Sequence, residues 1–328
     1  MAAPLVITNP ASSLHRPPDH PERPERIEAI EAALSAPEFA NVRRHQLDLP
    51  AGVVPGGDAA RAIAHGIHDR DYVDEIFLVG AMRNTEEVGG WLDADTYVGP
   101  GSLDAACAAL LSAQEAVARV LAGDAATAFS FCRPPGHHAT HAQAMGFCFF
   151  NNAAAAAQAG LNSGLERVAI VDFDVHHGNG TQDIFYHRPD VLYISTHQWP
   201  LYPGTGRVGE RGAGEGEGFT LNVPLGAGTG DDGYLEAIDA QVLPALAGYA
   251  PDLLVVSAGF DAHRRDPLAQ MEVTTAGFGA IARRLLEAAD RLCGGRSAWI
   301  LEGGYDLEGL GESAAECVRV ALGAAAST

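Results

Sequence analysis

The chain has little that would form disulfides, bind metal through sulfur or cross a membrane. Its five cysteines (Cys107, Cys132, Cys148, Cys293, Cys317) are scattered and odd in number, and no two stand at CxxC spacing. That excludes a disulfide framework and a cysteine-type zinc site, and the thiols read as small buried apolar side chains. No apolar run escapes Gly, Pro and polar breaks for long enough to span a bilayer. The opening MAAPLVITNP has neither a basic n-region nor an apolar h-region. No signal peptide is expected, and the cytoplasm is the expected compartment. Positive charge is also scarce. Lys and Arg total 21 against 42 Asp and Glu, a formal net charge of −21. That field repels nucleic acid and anionic membranes, so neither is an expected partner. It serves solubility first, and attraction of cationic ligands second. The sequence carries no signal for an oligomeric state.

What is present is a globular chain. Hydrophobic residues make up 47% and charged residues 19% of 328 residues, enough for a large core. No internal repeat and no long linker divides it, so a single domain over 1–328 is expected. One local grammar recurs: an apolar run, a Gly- or Pro-rich loop, then a helical stretch. AATAFSF (125–131) leads to CRPPGHHA, RVAIVDF (167–173) to DVHHGNG, and DVLYIST (190–196) to HQWPLYPGTG. DLLVVSAG (252–259) leads to FDAH, and SAWILEGG (297–304) to YDLEG. Helices are expected over NNAAAAAQAGL (151–161), YLEAIDAQVLPAL (234–246) and TAGFGAIARRLLEAADRL (275–292). Apolar runs without alternation, separated by helices, are parallel strands buried on both faces. The fold class is α/β: an open, doubly wound, mainly parallel central sheet with helices on both faces. Ligands of such sheets bind beyond the carboxyl ends of the strands, where nearly every unusual polar residue of this chain falls.

The segment VDFDVHHGNG (171–180) places two aspartates and two histidines within six residues after a buried strand. Side chains alternate along a strand, so Asp172, Asp174 and His176 share one side. Residues two apart are separated by about 6.6 Å, close enough for Asp174 and His176 to converge on one ion. Asp172 lies deeper and suits an orienting role. Asp261, directly after the run LLVVSA, is the candidate third ligand. Two carboxylates and one imidazole leave a coordination position open, the pattern of a catalytic site. The alternative is a buried ion cluster without metal, but no Lys or Arg lies in the segment to neutralise it.

Tandem His137 and His138, in PPGHHATH (134–141), suit general base and acid work, with Asp172 and Asn179 as orienting partners. Tyr305 follows Gly303-Gly304 at another strand end and could donate to a carbonyl or a developing oxyanion. Phe147 and Tyr202 are aromatics of nearby loops, suited to core packing or to an apolar channel. His177 has no assigned role beyond packing or hydrogen bonding beside the site. GTGRVG (204–209) matches GxGxxG formally but does not open a helix after a strand, and it reads as a flexible loop. Asp231 and Asp232 read as residues at a helix N-terminus.

Taken in order, HPERPERI, RPPGHHA, GFCFFNN, VDFDVHHGNGTQ, SAGFDAHRRDPL and LEGGYD resemble the zinc-dependent histone deacetylase family. The resemblance runs from about residue 15 to 320, and Asn179 and the LEGGY block point to a class II-like bacterial member. It implies the arginase-deacetylase fold and hydrolysis of an N-acetyl or other N-acyl amide on an amine side chain. It implies one Zn2+ per chain, or Fe2+ in its place, held by Asp174, His176 and Asp261. His137 and His138 become the base and acid pair, backed by Asp172 and Asn179, and Tyr305 polarises the scissile carbonyl. Gly146 offers a main-chain carbonyl near the substrate. Phe147 and Tyr202 match channel walls, Leu268 a rim position that is acidic in the polyamine-selective branch, and Ser102 a position that hydrogen-bonds the substrate backbone. Asp172, Asp174, His176 and Ser195 match a structural K+ site. Asp306 and Thr196 depart from the residues more usual at their positions, and Trp199 and Pro200 lie in a shortened channel loop. The implied substrates are acyl-lysine peptides or proteins, or small N-acyl amines. Rival readings are an acetylpolyamine deacetylase, favoured by the acidic charge and opposed by Leu268, a binuclear-manganese ureohydrolase, and a non-catalytic acyl-lysine binder.

Overall fold

The computed structural model describes residues 3–47, 57–86 and 88–326. In chain order the strands are β1 (Leu5–Thr8), β2 (Arg43–Gln46), β3 (Gly90–Trp91), β4 (Tyr97–Val98), β5 (Thr127–Ser130), β6 (Val168–Asp172), β7 (Val191–Gln198), β8 (Thr220–Leu225), β9 (Leu253–Ala258) and β10 (Ser297–Leu301). The α-helices are α1 (Glu25–Leu34), α2 (Gly57–Ala64), α3 (Arg70–Glu86), α4 (Ser102–Leu121), α5 (Asn152–Asn162), α6 (Asn179–Phe185), α7 (Asp231–Ala237), α8 (Leu243–Tyr249), α9 (Thr275–Cys293) and α10 (Leu307–Ala326). None is long and apolar enough to cross a membrane.

Eight strands form one sheet in the order β2-β1-β5-β10-β9-β6-β7-β8, and every pairing in it is parallel. β3 and β4 make a separate antiparallel pair. The five apolar runs expected as strands are β5, β6, β7, β9 and β10. β1, β2 and β8 were not expected. β2 is the edge strand RRHQ, mostly exposed, with no apolar signal to read. β8 is the other edge and tolerates Pro224, which cannot donate to a ladder.

Burial on both faces explains the unalternating strands. Along β6 and its extension, Ala169, Val171, Phe173 and Val175 join a core with Ile30 of α1, Ile281 of α9 and Val318 of α10. Val168 and Ile170 join the opposite core, with Leu110 of α4, the Ala153–Ala157 row of α5 and Val73 of α3. Alanine is the best helix former and its small side chain lets α5 lie close to the strands. Asn151 caps α5, accepting from the Ala154 N–H at 2.9 Å. The helix expected over 234–246 runs through α7 and α8, but its middle turn, Ile238–Val242, has the wider π spacing. The widening precedes Pro244, whose ring nitrogen cannot donate to the preceding turn. All five cysteines are buried free thiols.

The segment 20–27 enters the core as an ion network. Glu22, Arg26 and Arg133 are completely buried. Arg133 Nε donates to Glu22 Oε1 at 2.6 Å and its Nη2 to Oε2, while Arg26 Nη1 donates to Oε1 at 3.2 Å. Burial opposes ionisation of Glu22, but the Arg133 charge prevails and holds its pKa well below the ordinary value. Glu22→Ala would leave two buried guanidinium groups without their carboxylate. The expected loss is about 3–5 kcal/mol of folding stability, measured by chemical denaturation. A loss below about 1 kcal/mol would mean that the carbonyls bonded to Arg26 and Arg133 satisfy them unaided.

Candidate active site

The carboxyl ends of four adjacent strands, β5, β10, β9 and β6, carry the polar loops. β5 leads into the turn with His137 and His138. β6 runs into Asp172, Asp174 and His176, β9 into Asp261, and β10 into Glu302 and Tyr305. Parallel pairing in this order brings together residues up to 168 positions apart, from His137 to Tyr305.

Asp174, His176 and Asp261 are buried, and one ligand atom from each lies within 4.8 Å of the others. His176 Nδ1 is 3.1 Å from Asp174 Oδ1 and 3.1 Å from Asp261 Oδ2. Ligand atoms held at about 2.0–2.2 Å by a tetrahedral cation would lie about 3.3–3.6 Å apart, so the set needs little adjustment to close on one. Among the described residues no guanidinium is bonded to either carboxylate. Burial opposes charge on His176, but its bonds to Asp174 and Asp261 raise its pKa to about 10. The two carboxylates therefore call for a positive charge between them, which a proton or a metal cation can supply. Their remaining oxygens are satisfied: Gly303 N–H donates to Asp174 Oδ2 at 2.8 Å and Val175 N–H to Asp261 Oδ1 at 2.8 Å. Gly303 has to be glycine, since a Cβ there would sit 2.1 Å from Asp261 Oδ2.

The tandem histidines face this cluster. His137 Nδ1 is 3.0 Å from Asp172 Oδ2, and His138 Nδ1 is 2.7 Å from Asn179 Oδ1. Their rings lie 4.0 Å apart, and His137 Nε2 is 3.8 Å from Asp174 Oδ1. Burial opposes charge on His137, but the Asp174 and Asp172 carboxylates outweigh it and raise its pKa well above the ordinary value. Burial, then the charges of His137 and His176, push His138 well below it. One buried ring thus favours its proton and its neighbour does not, as an acid and a base require.

Tyr305 is buried; its N–H donates to Asp266 Oδ2 at 2.7 Å. Burial keeps its phenol protonated, so the hydroxyl remains a donor. The Phe147 ring meets it edge-on at 5.7 Å, and the Tyr202 ring meets His138 edge-on at 5.1 Å. Phe147 has φ of 70°, a left-handed conformation costly for a bulky residue and concentrated at functional sites. Gly146, at φ 56°, lets the chain pass His138, whose Cδ2 would be 2.5 Å from a Cβ. Leu268 is half-buried in the loop after β9, its N–H bonded to the other oxygen of Asp266 at 3.0 Å. Ser195 lies beside Asp172 in the β6–β7 register, its Oγ 2.9 Å from His197 Nδ1.

Ser102 is the exception. It is completely buried at the start of α4, its Oγ 2.8 Å from His15 Nδ1 and accepting from the Gly99 N–H at 2.9 Å. That hydroxyl is committed inside the protein and does not reach a substrate. The loop 204–219 is also better anchored than its glycines suggested: Glu210 Oε2 accepts from Gly206 N–H at 3.0 Å and from Gln182 Nε2 at 2.8 Å. His177 helps to hold it, with Nδ1 2.8 Å from Thr205 Oγ1. Asp306 caps α10, accepting from Gly309 N–H at 2.7 Å, a task Asn performs equally well. Thr196 Oγ1 donates to the Asp172 carbonyl at 3.2 Å.

Three residues were missed from the sequence. Arg26 donates to the Gly304 carbonyl at 2.7 Å, and its guanidinium lies 4.8 Å from the Tyr305 ring centroid. Asp266 holds the backbone of Tyr305. Glu302, completely buried, accepts from the amides of Gly136 and His137. Their only signal was membership of HPERPERI, RRDPL and LEGGY.

The family model described as histone deacetylase domain matches residues 20–321. A histone deacetylase-like amidohydrolase of Pseudomonas aeruginosa is 49% identical over 219 residues, 66% of this chain and 58% of that protein. A chloroplastic histone deacetylase of Oryza sativa is 52% identical over 196 residues, 60% of this chain and 44% of that protein. The chain thus spans about half the length of these curated relatives. A crystal structure of an acetylpolyamine aminohydrolase from Burkholderia pseudomallei superposes with a TM-score of 0.84 at 35% identity, covering 98% of each chain. With a family model matched over nearly its whole length, the chain belongs to the histone deacetylase domain family.

Proposed function

We propose that the protein is a zinc-dependent amidohydrolase that removes acetyl or other acyl groups from N-acyl-lysine side chains or related N-acyl amines. The observation that carries this reading is the buried Asp174–His176–Asp261 cluster facing the His137–His138 pair. Asp174, His176 and Asp261 would hold the cation. A divalent cation there supplies polarisation of the scissile carbonyl and acidification of a water, toward a pKa of about 7. His138, kept neutral, takes the proton from the attacking water at Nε2, with Nδ1 held by Asn179. His137, kept charged and oriented by Asp172, stabilises the developing negative charge and hands its Nε2 proton to the leaving amine. The Tyr305 phenol donates to the carbonyl oxygen as charge grows on it. Phe147 and Tyr202 wall the acyl-amine stem, the Gly146 carbonyl lies near the substrate beside His138, and Leu268 stands at the rim. Asp172, Asp174, His176 and Ser195 would supply a K+ site. An acyl-lysine binder without turnover would need neither the histidine pair nor its orienting partners.

A second reading, acetylpolyamine hydrolysis, is supported by the full-length match to the Burkholderia pseudomallei structure and by acidic residues near the entrance. Asp93 and Asp95 lie in the loop of Thr96, whose hydroxyl accepts from the Phe147 N–H at 3.1 Å. One panel tests both readings: acetyl-lysine peptides, longer acyl-lysines and acetylpolyamines, with and without chelator. Turnover that chelator abolishes is expected. Turnover indifferent to chelator, or none on any member, would overturn the proposal, and two metal ions per chain would favour a ureohydrolase. The pH profile tests the histidine roles. His138 must be neutral and its pKa lies below the ordinary 6.5, so the acid limb falls below pH 6.5. His137 must be charged, so loss of its proton gives an alkaline limb. An acid limb above pH 6.5 would remove His138 as the base.

A further inference from the structure

Glu302 is completely buried at the end of β10, and none of the steps above uses it. Its Oε2 accepts from the Gly136 N–H at 2.7 Å and the His137 N–H at 3.1 Å, and its Oε1 from the Ser257 hydroxyl at 3.1 Å. Its own carbonyl accepts from Arg26 Nη2 at 2.5 Å. The side chain therefore ties three elements at one point: the turn after β5, the carboxyl end of β9 and the end of β10. Among the described residues no Arg bonds this carboxylate. Burial raises its pKa to about 7, against the lowering effect of the His137 charge. A buried carboxylate without a cationic partner is costly to keep, and three donors in one place offset only part of that cost. A stabilising role in the core alone would be met better by an apolar side chain, as the neighbouring Leu301 and Trp299 are.

We propose that Glu302 is a positioning residue for the His137–His138 pair, holding the two amides of their turn at fixed height over the Asp174–His176–Asp261 cluster. This inference rests on the histidine roles given above. His137 Nδ1 has to meet Asp172 while Nε2 faces the reacting atoms, and the ring direction follows from where its own backbone N–H is pinned. Other ties hold the carbonyl side of the turn: the His137 carbonyl accepts from the Gly180 and Thr181 N–H groups at 3.0 and 3.1 Å, and the Pro134 carbonyl from Asn152 Nδ2 at 3.1 Å. Its Gly136 and His137 N–H groups are held by Glu302. A shift of about 1 Å in a catalytic group can cost about a hundredfold in rate.

The test compares Glu302→Ala, Glu302→Gln and Ser257→Ala in the metal-loaded protein. Gln can accept from both amides and donate to Ser257, so Glu302→Gln is expected within about threefold of the parent kcat. Glu302→Ala is expected to lose about thirty- to a hundredfold in kcat with KM within about twofold and metal content unchanged. Hydrogen exchange at the Gly136 and His137 amides should quicken in Glu302→Ala and not in Glu302→Gln. Should Glu302→Ala not fold, Ser257→Ala carries the test, with a three- to fivefold lower kcat expected. An unchanged kcat in the variant that folds, a loss confined to KM, or a Gln variant as impaired as Ala would overturn the proposal. A parent protein inactive on every acyl amine would instead sink the catalytic reading, while the exchange data would still report on the clamp.

Discussion

Asp261→Ala yields a folded protein without its cation and without measurable turnover. Three side chains form the buried ligand cluster, and Asp261 is the one delivered by a different strand end. Without it, Asp174 and His176 remain as two donors from one segment, too few for a closed set on a divalent ion. The burial argument agrees. Burial, then the Asp174 charge, raises the pKa of Asp261 to about 7, so ionising this group beside Asp174 is unfavourable unless positive charge sits between them. The variant removes that unfavourable carboxylate together with the site's purpose, so stability should fall little while activity drops by more than about a thousandfold. Elemental analysis should read about one ion per chain in the parent and almost none in the variant, and a chelator should reproduce the loss of activity in the parent. An active Asp261→Ala protein with metal retained would remove Asp261 from the ligand set.

Tyr305→Phe should separate metal binding from catalysis. The phenol is not a ligand, and its backbone is held independently by Asp266 and, through Gly304, by Arg26. The ring should therefore stay against Phe147 with only the hydroxyl lost. Removing one preorganised donor to a developing oxyanion costs about 100- to 1000-fold in kcat, or about 3–4 kcal/mol of transition-state stabilisation. Metal content should be unchanged and KM should move by less than about threefold, since the channel walls remain. Turnover within twofold of the parent would show that the reaction draws no stabilisation from this hydroxyl. Comparison with Asp261→Ala then distinguishes a protein that cannot hold the ion from one that holds it and cannot use it.

Much of this site was legible before folding was considered. The alternation in VDFDVHH sorted its residues correctly: Val171, Phe173 and Val175 lie in one core while Asp172, Asp174 and His176 turn the other way. That Asp172 and Asn179 orient the two histidines also followed from the need of each imidazole for a partner at its far nitrogen; which partner meets which ring came from the structure. What escaped had a different physical character. β2 is an edge strand, held by ladder bonds to β1 more than by apolar side chains of its own. RRHQ therefore carries no period to detect. Ser102 was misplaced because a hydroxyl at a helix start looks the same whether it faces substrate or is spent on His15. Glu22, Arg26 and Glu302 were overlooked because a charged residue ordinarily belongs at the surface. Their burial becomes tolerable through partners mostly remote in sequence: Arg133 for Glu22, the Gly304 carbonyl for Arg26, and the Gly136 and His137 amides for Glu302.

By itself the sequence determined the fold class, the family resemblance and the chemistry of each loop, because these depend on residue type and short-range spacing. Strand burial is written in unbroken apolar runs, and metal-ligand character in closely spaced Asp and His. Only the tertiary structure decided how the loops meet. The order β5-β10-β9-β6 sets the His137 turn, Glu302, Asp261 and Asp174 side by side, and a sheet's strand order is a matter of long-range pairing that no local pattern encodes. The same packing brought Asp172 and Asp174 to His137 and Asn179 to His138, partners that no local pattern assigns to one ring or the other.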